Sequence, residues 1–190
     1  MEDESMPISH IIGFDDFPFD RQHRGNVSVV GTVFAATRLE GVLRTQVRKD
    51  GANATGQITK LVLGSKFVSQ LQLVMLQGVA LAGFNVVDAF SLSETLEVPV
   101  LIVSRRQPKL EAIRDALLKV RGGAHKWRLI ERLGPMEAVN DVFVQRVGLT
   151  LEATKDVLRR TTCHGNIPEP LRTAHLIAGG IGTGQSRGRT

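Results

Sequence analysis

The sequence predicts an α/β fold built on one mixed sheet, and two observations predict it. Three β-rich segments come first, and β and α segments alternate thereafter. An antiparallel meander at one sheet edge and parallel β–α units at the other satisfy that order. The first strand is His10–Phe14, a short apolar run that stops at Asp15-Asp16. Asn26–Thr37 and Gly41–Lys49 follow, with Arg38-Leu39-Glu40 between them short enough for a hairpin. Thr55–Lys66 sets Ile58, Leu61 and Val62 near helical spacing, and Ser69–Gln77 returns to strand. Val86–Leu96 is predicted helical, and Val98–Ser104 reads as a compact buried strand. Pro108–Val120 carries Leu110, Ile113, Ala116, Leu117 and Val120 on one face, with proline in its first turn. Ala124–Leu133 is a further helix, and Ala138–Val147 reads as the last strand. Leu151–Arg160, capped by Thr150, and Pro168–Ala178 close the chain as helices. Residues 1–190 are expected to form a single domain, with an acidic tail at 1–8 and a Gly/Arg-rich tail at 179–190.

Composition narrows the function classes. At 42% hydrophobic and 23% charged, the chain has the makeup of a globular domain. The single Cys163 removes internal disulfides and Cys-based zinc sites. No HxH or HExxH spacing joins the histidines, so a His-based zinc site is not expected either. No segment approaches the roughly 18 apolar residues of a membrane span. The start, MEDESM, is acidic where a signal or transit peptide is basic, so a cytoplasmic protein is expected. The net charge of +5 hides a segregation. Residues 1–20 carry six acids and no Lys or Arg, whereas residues 104–132 carry nine bases against three acids. The basic stretch, led by Arg105 and Arg106, reads either as a solvated helical face or as a patch for phosphates.

In open α/β sheets ligands sit beyond the carboxyl ends of the parallel strands. The positions to inspect are therefore Asp15 and Asp16, Gln77 and Gly78, and Ser104 and Arg105. Paired acids ending a buried strand are costly unless a positive group meets them. Magnesium, or manganese in its place, takes such oxygen ligands and leaves room for substrate phosphates. Asp50, in Lys49-Asp50-Gly51, and Asp88, in Asn85-Val86-Val87-Asp88, are the acids that could join; a turn and a helix charge are their plainer readings. Gly78–Asn85 holds two glycines between a strand and a helix but lacks the Lys-Ser/Thr of a Walker A loop. Gly184–Gly188 has the letters of a nucleophile elbow without its strand, helix or downstream partners. Arg187 in that tail could touch an anion. Glu169, Arg172 and His175 are spaced by threes on one helical face, as for an intrahelical ion pair.

The run Asn166-Ile167-Pro168-Glu169-Pro170-Leu171-Arg172, continuing to Ala174-His175, closely resembles a segment near the C-terminus of endonuclease V. Gly13-Phe14-Asp15-Asp16 looks like the first-strand motif of the same enzymes. The whole chain is similar to domain-of-unknown-function family ninety-nine. It shares with that family Leu39-Glu40-Gly41-Val42-Leu43, Asp50-Gly51, Gly83-Phe84-Asn85-Val86-Val87-Asp88, Pro99-Val100 and the Pro168–Arg172 segment. The resemblance implies a ribonuclease H-like fold, in which carboxylates at the ends of strands one and four, with one from an edge element, hold two divalent ions for phosphodiester cleavage. Asp15 takes the first-strand role, with Asp16 beside it and Asp50 or Asp88 completing the set. Gln77, Asn85, Glu169 and His175 are expected to line the pocket, and Arg105, Arg106, Arg172 and Arg187 are expected to face nucleic acid. The sequence departs from endonuclease V at Gln77-Gly78, where the enzymes have Asp-Gly, and at Gly148-Leu149, where they have Gly-His. The Tyr-x-Pro-Gly wedge has no counterpart near Gly41-Val42-Leu43. A metal-dependent nuclease of the DNA-repair type is thus expected. A catalytically inactive nucleic-acid or nucleotide-binding module, or an interaction protein on the same scaffold, are the alternatives.

Overall fold

A computed structural model describes residues 7–186. Strands β1 (His10–Asp16), β2 (Asn26–Ala35) and β3 (Arg38–Arg48) form the antiparallel meander. Helix α1 (Ala54–Leu63) and a short 3₁₀ turn lead to β4 (Leu73–Gln77). Strands β5 (Ala80–Leu81) and β6 (Asn85–Val86) make a small separate hairpin before α2 (Ala89–Leu96) and β7 (Val100–Ser104). Helices α3 (Leu110–Leu117) and α4 (Gly123–Arg132) precede β8 (Glu137–Val139), β9 (Val142–Val147), α5 (Leu151–Thr161) and α6 (Glu169–Thr183). The main sheet has the order β3-β2-β1-β4-β7-β9-β8, with β1, β4 and β7 parallel.

The predicted mixed sheet is therefore present, with three differences. The last strand, read as Ala138–Val147, is a hairpin, because Asn140 adopts φ 53° and turns the chain at Asn140-Asp141. β9 consequently runs antiparallel to β7, so the parallel portion ends there. The β2–β3 turn lies at Ala36-Thr37, with Ala36 at φ 54°, and Arg38–Glu40 belong to the strand. The last helix continues to Thr183, five residues into the segment read as a tail beginning at 179.

Strand alternation divides the core in two. Ile12 and Phe14 of β1, with Val74 and Leu76 of β4, face α1 and α2. Ile11 of β1, with Leu73 and Met75 of β4, faces α5 and α6. Helix α6 lies unusually close to β1 and β2. A Cβ on Gly13 would fall 2.6 Å from the backbone carbon of Pro170, and Thr32, the cross-strand partner of Gly13, donates its hydroxyl to the Pro170 carbonyl at 2.6 Å. One helical turn on, Ala174 and Ala178 pack on Val30, the partner of Asp15. Two residues along the strand match about one turn of helix in rise, so the register holds along the contact. Gly13→Ala is expected to lower stability by about 1–3 kcal/mol in urea denaturation, because a helix rather than a flexible side chain must move. An unchanged midpoint would show that the approach is not this tight.

Candidate functional site

The close approach of α6 brings His175 to the end of β1. Its Nδ1 lies 2.8 Å from Oδ2 of Asp15, which is 7% exposed. With Asp15 as a carboxylate, the imidazole Nδ1–H donates. The other oxygen, Oδ1, accepts from the Asp16 amide at 3.0 Å. Asp15 thus has a fixed orientation.

Gln77 stands next to it. The parallel register pairs Ile11 with Leu73 and Gly13 with Met75, which carries on to Asp15 beside Gln77 on the α6 side. The Gln77 Oε1 is enclosed and has no hydrogen-bond partner among the described residues. An orphaned amide oxygen costs about 1–3 kcal/mol unless something satisfies it. Asp15, Asp16, Phe17, Pro18, Phe19, Gln77, His175 and Gly179 line one cleft of about 390 Å³.

Asp16 follows Asp15 in an extended strand and so leaves the opposite face of the sheet. Its Oδ2 accepts from the Ala82 amide, beside the first core. Burial, and then the charge of Asp15, push its carboxyl up from the ordinary 3.8 to about 6, against the Ala82 hydrogen bond. The acids expected as a metal pair thus border the cleft from two sides of β1.

The other predicted residues have different employment. Asp88 caps α2, accepting from Ser91 N at 3.1 Å, and does not line the cleft. Asp50 at φ 53° accepts from Phe84 N at 2.9 Å, where a Cβ on Gly83 would strike it. Asn85 is fully buried: its Oδ1 accepts from Ala54 N, and its Nδ2 donates to the Arg48 carbonyl and to Asn53 Oδ1. These three residues fasten the β5–β6 hairpin to the β3–α1 turn and start α2. The expected gathering of Asp15, Asp16, Asp50 and Asp88 is therefore not what the chain builds. Among the described residues no three His, Cys, Asp or Glu side chains cluster closely enough to hold a metal.

Glu169 is buried and binds Arg172 Nε at 2.9 Å, the helical ion pair of the plainer reading. His175 departs from that trio to meet Asp15. Arg105 and Arg106 are exposed just past β7, and Arg187 lies outside the described residues. The basic stretch is only partly a solvated face. Lys126 is buried, donates to the Asp50 carbonyl at 2.6 Å and has its pKa lowered by desolvation. Arg132 lies 3.9 Å from the Phe90 ring centroid. Ser186, in the elbow-like letters, donates to the Leu176 carbonyl. A second pocket, of about 260 Å³, takes in two of the positions marked at the strand ends, Gly78 and Ser104, and further residues of the Gly78–Asn85 segment. It is lined mainly by apolar groups, among them Val79, Phe84, Ile113 and Ile130, with Gln145 as a polar member. Gly78 lines it and Gln77 lines the acid cleft, so consecutive residues at the end of β4 border the two.

Residues 7–182 match the family model described as endonuclease dU. The chain belongs to the endonuclease dU family. A UPF0215 protein of Deinococcus radiodurans is 52% identical over 183 residues, covering 96% of this chain and 93% of the relative. One of Methanothermobacter thermautotrophicus is 42% identical over 94% and 90% of the two chains. The crystal structure of a protein of unknown function from Archaeoglobus fulgidus superposes with a TM-score of 0.85 at 32% identity, covering 91% of this chain and 98% of that one. Endonuclease V of Ciona intestinalis, solved with a 24mer DNA containing an inosine, gives a TM-score of 0.56 at 13% identity over 88% and 83% of the chains. This family member therefore has the endonuclease V fold.

The raised Asp16 pKa makes a stability prediction. Between 3.8 and about 6 the folded protein holds a proton that the unfolded chain has released. Stability of the metal-free protein thus rises as pH falls through this window, and the buried charge is a cost above it. Asp16→Asn, measured by thermal unfolding in EDTA, is expected to be more stable on the order of 1–3 kcal/mol above the window, with the gain gone by about pH 4. Parallel pH profiles for the two proteins would contradict this.

Proposed function

We propose that this protein is a divalent-metal-dependent endonuclease that cuts DNA at deoxyuridine. The observation that carries the reading is the orphaned Gln77 Oε1 beside the His175-oriented carboxylate of Asp15, at the ligand end of two parallel strands. A buried amide oxygen and a carboxylate on one face are hard oxygen donors, suited to Mg2+ or Mn2+ with several waters retained. Asp15 and Gln77 would hold the ion. Such an ion, when bound, supplies Lewis-acid activation of water and charge stabilisation at the phosphodiester. His175 keeps Asp15 in orientation, as partners of ligating groups do. Asp16, with its carboxyl near 6, is suited to exchanging a proton near neutral pH.

The substrate part of the proposal rests on the family's name and on the apolar pocket. That pocket is bordered by Gly78, the residue after Gln77, and offers the half-buried Phe84 as a stacking surface for one unstacked base. A second reading, binding without cleavage, is favoured by one feature: the strand-four position is the neutral Gln77.

The test is cleavage of a deoxyuridine-containing oligonucleotide with Mg2+ or Mn2+. Asp15→Asn is expected to reduce the rate by at least about a hundredfold, in the range of a lost electrostatic partner in catalysis. Asp88→Ala is expected to cost about 1 kcal/mol of stability as a lost helix cap while leaving turnover intact. Wild-type binding without cleavage favours the second reading. Full activity in Asp15→Asn sinks the proposed site.

A further inference from the structure

The segment between β1 and β2, residues 17–25, starts in the acid cleft and ends on the molecular surface. It is firmly anchored. Phe17 donates its amide to the Ser28 carbonyl, and a Cβ on Gly182 of α6 would lie 3.2 Å from both Phe17 and Pro18. Phe19 packs against the first core. Lys49, at the end of β3, holds the tip. Its Nζ donates to the Arg21 carbonyl and lies 5.5 Å from the Phe19 ring centroid, while its amide donates to the Gly25 carbonyl at 2.9 Å. His23 closes the turn, its amide donating to the Asp20 carbonyl at 2.9 Å and its Nε2 lying 3.0 Å from the Asn26 carbonyl.

What this framework presents outward is Arg21 and Arg24. Both are exposed, and neither forms an ion pair with a described residue. The acids nearby in sequence are Asp20 on the tip and Asp15 and Asp16 in the cleft. A polyanion approaching two carboxylates is repelled unless cations flank them, and a rigid loop holding two guanidinium groups loses little entropy on contact.

We infer that the loop of residues 17–25 is a phosphate-gripping rim, on which Arg21 and Arg24 hold the backbone of the nucleic-acid strand that enters the acid cleft. The inference rests on the nuclease reading for the direction in which the strand runs. Its own content is a place of binding that the sequence-level patch at 104–132 did not include.

The test is fluorescence anisotropy with a deoxyuridine-containing duplex in EDTA, at a series of salt concentrations. Each phosphate contact contributes about −0.9 to the slope of log K against log salt. The Arg21→Ala/Arg24→Ala variant is expected to flatten the slope by about 2, and Arg21→Lys/Arg24→Lys to restore most of it. Lys155→Ala/Arg159→Ala changes net charge equally but sits on α5, which lines no part of the cleft. It is expected to keep the wild-type slope. An unchanged slope in the Arg21/Arg24 variant, or an equal loss in the α5 variant, overturns the inference. If the slope flattens as expected but the wild type cuts no substrate with metal present, the rim stands and the nuclease reading falls.

Discussion

The contact of Pro170 with Gly13 is the constraint on which the site depends. A helix can lie this close to a strand only where the strand has no side chain beneath it. From that contact the register is forced: Thr32 reaches the Pro170 carbonyl, and one turn later Ala174 rests on Val30 while His175 reaches Asp15. The Pro168-Glu169-Pro170 segment thus works through geometry. It starts α6 at the point that carries an imidazole to the end of β1. Glu169, which looks chemical in the sequence, spends its charge on Arg172 within the same helix.

A second set of polar contacts fixes the other side of the cleft. Asp50, Asn85 and Lys126 tie the β3–α1 turn, the β5–β6 hairpin and α4 together. That hairpin carries Ala82, whose amide meets Asp16. Buried polar groups are tolerated when every member is satisfied, and a satisfied network holds one arrangement. Here it holds a backbone donor against a carboxylate whose pKa burial has raised. The polar residues singled out in the sequence therefore divide into two sorts. Asp15 and its neighbours face the cleft, and Asp50, Asn85 and Asp88 build the frame around it.

Much of this was legible in the sequence. Alternation and turn chemistry gave the meander, and the apolar runs ending at Asp16, Gln77 and Ser104 marked the ligand edge of the parallel strands. The Asn140-Asp141 turn was missed because apolar residues on both sides read as one continuous strand. Asp50 and Asp88 follow their plainer readings, a turn and a helix-start charge, and the sequence could not choose between those and a metal role. A carboxylate that accepts backbone amides and one that faces a cation have the same letter, and only tertiary placement separates them. His175 was expected both in the pocket and in a helical trio, but its bond to Asp15 was not legible, since spacing reports which residues share a helix face and not what lies opposite that face. The apolar pocket was marked only at Gly78, Ser104 and the Gly78–Asn85 segment, because the rest of its wall is assembled from the distant α3, α4 and β9.

The central claim is that Asp15 and Gln77 form the cation-holding half of a nuclease site. Anomalous scattering from a crystal soaked in Mn2+ tests it most directly. One strong peak is expected within coordination distance of both an Asp15 carboxylate oxygen and the Gln77 Oε1. A peak at Asp50 or Asp88 instead, or none in the cleft at saturating Mn2+, would contradict it.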